Sequence, residues 1–304
     1  MLGNARTNRK SPSGDGTRTS AYNPSVSSYR GRLAPSPTGF LHLGHARTFL
    51  VAAKRANHFG GELIFRNEDL DPDRCRPEYV SAMYDDLRWI GLQWTEGPDC
   101  GGPYTPYSQS QRRDLYLKTW KALRDAGSLY PCTCSRKELA MAATAPNDID
   151  DEPIYPGKCR ERGDAGSFDS PASVNWRFRV PDGDKISFDD QHLGPQTFVA
   201  GHDFGDFVVW RRDDVPAYQL AVVADDHAMK ITEAVRGADL LKSTARQLLL
   251  CRALGLAAPE FYHCELVRDE AGVRLAKRHD ALSIRYLRQS GCTAEQVRER
   301  ALQL

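Results

Sequence analysis

The sequence predicts an α/β protein built around a parallel sheet, and three stretches carry that expectation. RLAPS (residues 32–36) reads as a short strand, the residues after it have a helical pattern, and ELIFR (62–66) reads as a second strand. Strand, helix and strand within about forty residues form the unit that joins parallel neighbours. Residues 111–126, QRRDLYLKTWKALRDA, place Leu115, Trp120 and Leu123 on one face of a further helix, closed by Gly127. The nearly continuous apolar run AYQLAVVADD (217–226) is expected to be a buried strand.

Along the chain, residues 1–30 are rich in Ser, Asn, Gly, Thr and Arg without an apolar pattern, and are expected to form a disordered basic tail. Order is expected from Gly31. Pro35 and Pro37 remove backbone donors and stop the first strand. The helix after it carries Ala46, Phe49, Leu50, Ala53 and Ala56 on one face and ends at Gly60–Gly61. From Tyr130 to about Asp190 the pattern weakens into short strands such as VNWRFRV among Gly, Pro, Asp and Ser, which suggests an insertion outside the main sheet. DFVVWRR restores regular structure, and ARQLLLCRAL is a helix stopped by Gly255 and Pro259. The expected organisation is therefore a tail (1–30), a first half of a catalytic sheet domain (31–115), an insertion (116–204), the second half (205–270) and a short C-terminal segment (271–304).

Composition narrows the function classes. Of the 304 residues, 40% are hydrophobic and 27% charged, as in a soluble globular protein. No apolar run approaches the roughly 20 residues that a membrane helix requires. The N-terminus has no apolar stretch behind its charges, so a cytoplasmic location is expected. A net charge of +1 supplies no strong global field, and any RNA surface would be a local patch.

Two constellations carry candidate chemistry. His42-Leu43-Gly44-His45 opens the first helix directly after the first strand. It can be an ordinary helix start with two polar residues at its mouth. It can equally be a phosphate site, because a helix N-terminus offers N–H groups and a positive dipole end, two imidazoles add donors, and Gly44 lets a planar base approach the backbone. Cys132 and Cys134 are followed by Tyr155 and Cys159. Three thiolates with Tyr155 as a phenolate ligand would complete a tetrahedral zinc site; three ordinary buried cysteines are the alternative.

APSPTGFLHLGH resembles the HIGH-motif segment of class I aminoacyl-tRNA synthetases of the glutamyl/glutaminyl branch. The resemblance continues through FRNEDLDPDR, AYQLAVVADDH and ITEAVRGADLL, from about Gly31 to about His279. It implies a Rossmann-like parallel-sheet class I synthetase catalytic domain with a zinc-bearing insertion. It also implies ATP, with Mg²⁺ on its phosphates, bound by His42, Gly44, His45 and Lys277, with His42, His45 and Lys277 catalytic. Glutamate would be held by Arg32, Leu33, Ala34, Pro35, Ser36, Glu68, Tyr218 and Arg236: the arginines on carboxylates, Glu68 on the α-ammonium, and Tyr218 closing the pocket. The family's second ATP motif, K-L-S-K-R, is altered here to RLAKR. Arg274 stands for the first lysine, Ala276 replaces serine, and Lys277 is kept.

Within the branch, C-x-C…Y-x-x-x-C resembles the small glutamyl-queuosine tRNA(Asp) synthetases, which implies one structural Zn²⁺ on Cys132, Cys134, Tyr155 and Cys159. RGADLL, where glutamyl-tRNA synthetases more often have RGEDH, agrees. The stretch after Lys277 is far shorter than the roughly 100 residues an anticodon-binding module needs. The expected activity is thus glutamate activation and transfer to queuosine in the anticodon stem-loop of tRNA(Asp), by a monomer. Three alternatives stay open: a truncated glutamyl-tRNA synthetase, an inactive tRNA-binding paralogue, and a HIGH-motif nucleotidyltransferase acting on a small metabolite.

Overall fold

The computed structural model describes residues 28–135, 154–266 and 283–303. The RLAKR loop, with Arg274, Ala276 and Lys277, lies outside the described residues, as do residues 1–27. Strand β1 (Arg30–Leu33) leads through helix α1 (Leu43–His58) to β2 (Glu62–Phe65), which pairs with β1 in parallel from Arg30↔Glu62 to Leu33↔Phe65. Regular structure begins slightly earlier than the expected boundary at 31. Tyr29 is already buried, and its hydroxyl donates to Glu233 at 2.6 Å.

Helix α2 (Pro77–Trp89) covers this half, and α3 (Arg113–Asp125) leads into β3 (Leu129–Cys132), β4 (Asn175–Phe178), β5 (Lys185–Asp190), β6 (Gly194–Val199) and β7 (Val208–Trp210). Next come α4 (Tyr218–Ala228), β8 (Glu233–Gly237), α5 (Leu241–Leu254), β9 (Glu260–Cys264), α6 (Ile284–Gln289) and α7 (Ala294–Gln303). β3, β4 and β7 form a small sheet of their own; β6, β5, β9 and β8 form a four-stranded one, in that order. β8 and β9 are parallel from Glu233↔Glu260 to Gly237↔Cys264, and β5–β6 is an antiparallel hairpin. β5 and β6 fall in the stretch read as an insertion, yet Asp190 of β5 pairs with Phe261 of β9 and so belongs to the main sheet.

β1 runs beside β8. The Thr232 N–H donates to the Arg30 carbonyl at 2.9 Å, and Arg32 donates to the Val235 carbonyl at 2.9 Å. From this seam one crossover leads outward to β2 and the other outward to β9. That is a topological switch point, and the crevice beyond the carboxyl ends of the two strands is where open α/β sheets bind ligands. Leu33 and Gly237 end the strands there.

One expectation is corrected. AYQLAVVADD is helix α4, not a strand. Leu220, Ala221, Val222, Val223 and Ala224 are all buried, together with Gln219, Asp225 and Asp226. A helix buried all round has no polar face, so its sequence shows no 3.6-residue period and reads like an interior strand. Asp225 is held by Arg112 at 2.6 Å, Gln109 at 2.8 Å and Tyr116, which tie α4 to α3. The apolar core beneath joins α3, α4 and α5 to the small sheet through Trp120, Trp176, Trp210, Leu220 and Leu249. A second core packs α1 and α2 against β1, β2 and the C-terminal helices.

Candidate active site

His42 caps α1 in extended backbone. Its Nδ1 accepts the Gly44 N–H at 3.1 Å, while its own N–H donates to His45 Nδ1 at 3.3 Å. The rings lie 3.9 Å apart, centroid to centroid, and both are half-buried. With each Nδ1 used as an acceptor, each neutral ring carries its proton on Nε2. A Cβ at Gly44 would meet the His42 ring at 3.0–3.1 Å, so glycine is what lets the ring fold over the first turn. Ser283 bridges His42 in antiparallel fashion, and the Glu265 carbonyl accepts from Arg47 of α1 at 3.3 Å. Both described flanks of the stretch containing RLAKR are therefore fastened to the first turns of α1.

A buried charge cluster fills the crevice beside α1. Leu33 is buried at the end of β1, Pro35 is buried and Ser36 is exposed. The carbonyls of Leu33 and Pro35 accept the N–H groups of Arg66 and Glu68 at 2.8 and 3.0 Å, which aligns the exits of β1 and β2, with Ala34 half-buried between them. Arg66 is fully buried and donates to Asp226 at 2.6 Å and to Glu68 at 3.0 Å. Arg32 stands 3.6 Å from Asp226, and its buried Nε has no hydrogen-bond partner among the described residues. Burial pushes the Glu68 carboxyl up despite Arg66, whereas Arg66 and Arg32 hold Asp226 below the usual carboxylate range against the effect of burial. Tyr218, 36% exposed at the head of α4, interacts electrostatically with Arg236, Glu68 and Arg32.

Arg236 of β8 is buried and donates to Gln247 at 2.8 Å, Thr244 at 2.6 Å and His263 Nε2 at 3.2 Å. Burial lowers its pKa. Burial and the Arg236 charge push the His263 imidazole down to about 4, against the pull of Asp190. The structure thus gathers Arg32, Glu68, Tyr218 and Arg236 at one crevice, with the histidine pair at its α1 side. Sequence reasoning missed Arg66, Asp226, Asp190 and His263. Arg66 and Asp226 stood inside quoted motifs, but nothing in their spacing distinguished them from neighbouring charges.

The second cluster lies where β3 ends. The Sγ atoms of Cys132, Cys134 and Cys159 lie within 4.8 Å of one another, and all three side chains are buried. Cys134 and Cys159 sulfurs are 3.7 Å apart, and the Tyr155 hydroxyl is 3.5 Å from each of the Cys132 and Cys134 sulfurs. A tetrahedral centre with Zn–S of about 2.3 Å and Zn–O of about 2.0 Å requires about 3.8 Å between sulfurs and about 3.5 Å from sulfur to oxygen. The residues fit such an ion. Burial raises the Cys134 thiol, while at Cys159 the hydrogen bonds from Tyr155, Thr133 and Cys134 outweigh burial and bring the thiol down to about 7. Arg177 lies over the Tyr155 ring at 4.0 Å and donates to Cys132 Sγ at 3.4 Å, a cation facing an electron-rich ligand set.

Comparison with known proteins places this geometry. The model for tRNA synthetases class I (E and Q), catalytic domain, matches residues 28–302. The chain belongs to that family. It is a ligase of the aminoacyl-tRNA synthetase type, with the α/β catalytic domain of class I. It is 48% identical over 271 residues to a Glutamyl-Q tRNA(Asp) synthetase of Nitratidesulfovibrio vulgaris, covering 88% of this chain and 83% of that protein. A protein of the same name from Symbiobacterium thermophilum is 48% identical over 272 residues, with the same coverage. Among solved structures, a glutamate-tRNA synthetase from Elizabethkingia anophelis superposes with a TM-score of 0.70 at 30% identity, covering 88% of this chain and 54% of that one. The synthetase described here thus spans about half the length of that enzyme.

Proposed function

We propose that this synthetase activates L-glutamate with ATP and transfers it to the cyclopentenediol of queuosine at the wobble position of tRNA(Asp). The observation that carries glutamate is the buried cluster at the switch point. Two arginines suited to bidentate carboxylate recognition, Arg32 and Arg236, accompany the buried Glu68 carboxylate, which Arg66 holds at 3.0 Å, and Arg32 Nε is buried without a partner among the described residues. A substrate carboxylate supplies the missing acceptor, and Glu68 receives the α-ammonium. Tyr218, at the open side, covers the bound amino acid, and the Arg32–Ser36 segment forms its floor.

Adenylation joins two anions: a glutamate carboxylate oxygen attacks the α-phosphorus of ATP, and pyrophosphate leaves with the P–O bond pair. Alignment and charge stabilisation are what the protein contributes. The Nε2–H groups of His42 and His45, the N-terminal dipole of α1 and the backbone at Gly44 serve the phosphates. Lys277 supplies a further positive charge for the phosphates. It lies six residues before Ser283, a reach of at most about 20 Å of chain from the His42 bridge. Mg²⁺ accompanies the ATP phosphates, and one structural Zn²⁺ is held by Cys132, Cys134, Tyr155 and Cys159. The choice of queuosine as acceptor rests on the 48% identical relatives and on the C-x-C…Y-x-x-x-C set. Among the described residues no helix is long and apolar enough to cross a membrane, and a cytoplasmic monomer is the proposed form.

ATP–pyrophosphate exchange with glutamate in the absence of RNA tests the first half. Incorporation of labelled glutamate into tRNA from cells with and without queuosine, followed by mapping of the labelled nucleotide, tests the second. Label confined to the wobble nucleotide of queuosine-bearing tRNA is the expected result. Label at a tRNA 3′ end, independent of queuosine, makes the chain a glutamyl-tRNA synthetase instead.

A further inference from the structure

We propose that His263 and Asp190 are positioning residues that orient the Arg236 guanidinium for the substrate carboxylate while leaving its charge unspent. This rests on the glutamate reading above. Three adjacent strands place the three residues in line, Asp190 at the end of β5, His263 in β9, and Arg236 opposite His263 in β8.

Hydrogen bonding alone fixes the imidazole. His263 Nε2 lies 3.2 Å from Arg236 Nε and 3.0 Å from the Thr244 hydroxyl. Arg236 Nε–H has only a proton to give, and Thr244 already accepts from Arg236 and donates to the Leu240 carbonyl, so Nε2 presents its lone pair to Arg236. His263 Nδ1 faces a carboxylate oxygen of Asp190 at 2.5 Å and must carry the ring proton. Asp190 is itself immobilised, accepting the N–H groups of Leu193 at 2.9 Å, His192 at 3.1 Å and His263. From the other side, Thr244 and Gln247 of α5 hold the two terminal nitrogens of Arg236, and Gln247 is fixed in turn by donating to Gln219 at 3.0 Å.

The consequence lies in what does not touch Arg236. Among the described residues no carboxylate forms a direct ion pair with it, although the guanidinium is only 4% exposed; Asp226 attracts it from farther away. Its described hydrogen-bond partners are neutral: an imidazole nitrogen, the Thr244 and Tyr218 hydroxyls and an amide oxygen. A buried, permanently charged guanidinium held by neutral groups retains its demand for an anion. Asp190 placed directly on Arg236 would satisfy that demand and compete with substrate. The neutral ring between them transmits the geometry of Asp190 without its charge. His263 and Asp190 are both completely buried, so neither reaches substrate.

The test has two readouts. In the ¹⁵N-labelled full chain, nitrogen correlation spectra at neutral pH should show His263 protonated on Nδ1 and bare on Nε2. An Nε2–H tautomer or an imidazolium overturns the proposal. In ATP–pyrophosphate exchange, His263→Ala should raise the glutamate KM by about ten- to a hundredfold, the value of one lost charge-assisted hydrogen bond, with the ATP KM and kcat nearly unchanged. His263→Gln, which can accept from Arg236 and donate to Asp190, should restore most of the loss and covers the case in which the alanine variant does not fold. An unchanged glutamate KM in His263→Ala, a loss confined to kcat, or a glutamine variant as impaired as alanine overturns the proposal. If the wild-type enzyme shows no glutamate-dependent exchange, the substrate reading fails. The tautomer, and the loss of the protected Arg236 Nε–H signal in His263→Gly, then still decide whether the dyad holds Arg236.

Discussion

Replacing Arg66 by methionine removes the cation that hydrogen-bonds both Glu68 and Asp226. Arg66 is fully buried, its contacts to the two carboxylates are 3.0 and 2.6 Å, and Asp225 is 3.9 Å away. Breaking a buried pair by deleting one partner costs about 3–5 kcal/mol, because the surviving charge is stranded. At about 2–4 °C per kcal/mol for a domain of this size, the variant should melt roughly 6–20 °C below wild type at pH 7.5. The loss should depend on pH with a definite sign. In wild type, Asp226 is depressed in the fold, so its contribution is present above the unfolded value near 4 and lost only as pH falls through the lower folded value. Without Arg66, burial lifts the Glu68 carboxyl further above its unfolded value and Asp226 keeps only the more distant pull of Arg32 and Arg236, so the folded variant binds more protons than the folded wild type and its deficit grows as pH rises. Urea or thermal melts of both proteins at pH 5.5 and 7.5 measure this. The deficit should shrink at pH 5.5. A deficit below about 1 kcal/mol, or one that grows on acidification, would show that Arg66 is not what neutralises the cluster.

On the proposed role, Lys277→Ala should reduce ATP–pyrophosphate exchange by about a hundredfold or more through loss of charge stabilisation at the reacting phosphate; near-normal exchange would remove Lys277 from the chemistry. Purified protein should contain one zinc per chain by elemental analysis, and Cys134→Ser should lose the metal and melt at lower temperature. Metal-free protein that melts like the holo form would make the thiols ordinary core residues. Tyr29→Phe leaves the buried Glu233 without its 2.6 Å donor and should destabilise by about 1–3 kcal/mol in urea titration, activity being retained.

The first strand–helix–strand unit could be read from sequence because its half-buried helix keeps a period and its strands are short and bounded by Pro and Gly. Helix α4 could not, because burial on every side erased the period that would have marked it. Arg236 stood out as a charge interrupting an apolar stretch, and the cysteine spacing pointed to a cluster that the fold does assemble. Asp190 and His263 gave no such signal. They are 73 positions apart, and only the pairing of β5 with β9 brings them to 2.5 Å. Long-range register of that kind is invisible to local pattern.

The hairpin of β5 and β6 also sets a boundary for engineering. A graft exchanging the cysteine-bearing region between relatives has to carry β7 with β3 and β4, because the three strands form one sheet although β5 and β6 lie between them in the chain. Such a graft also carries β5, so the donor protein supplies the residue at position 190, which faces His263 Nδ1 at 2.5 Å. A donor with aspartate at position 190 leaves that contact in place while the small sheet is exchanged whole.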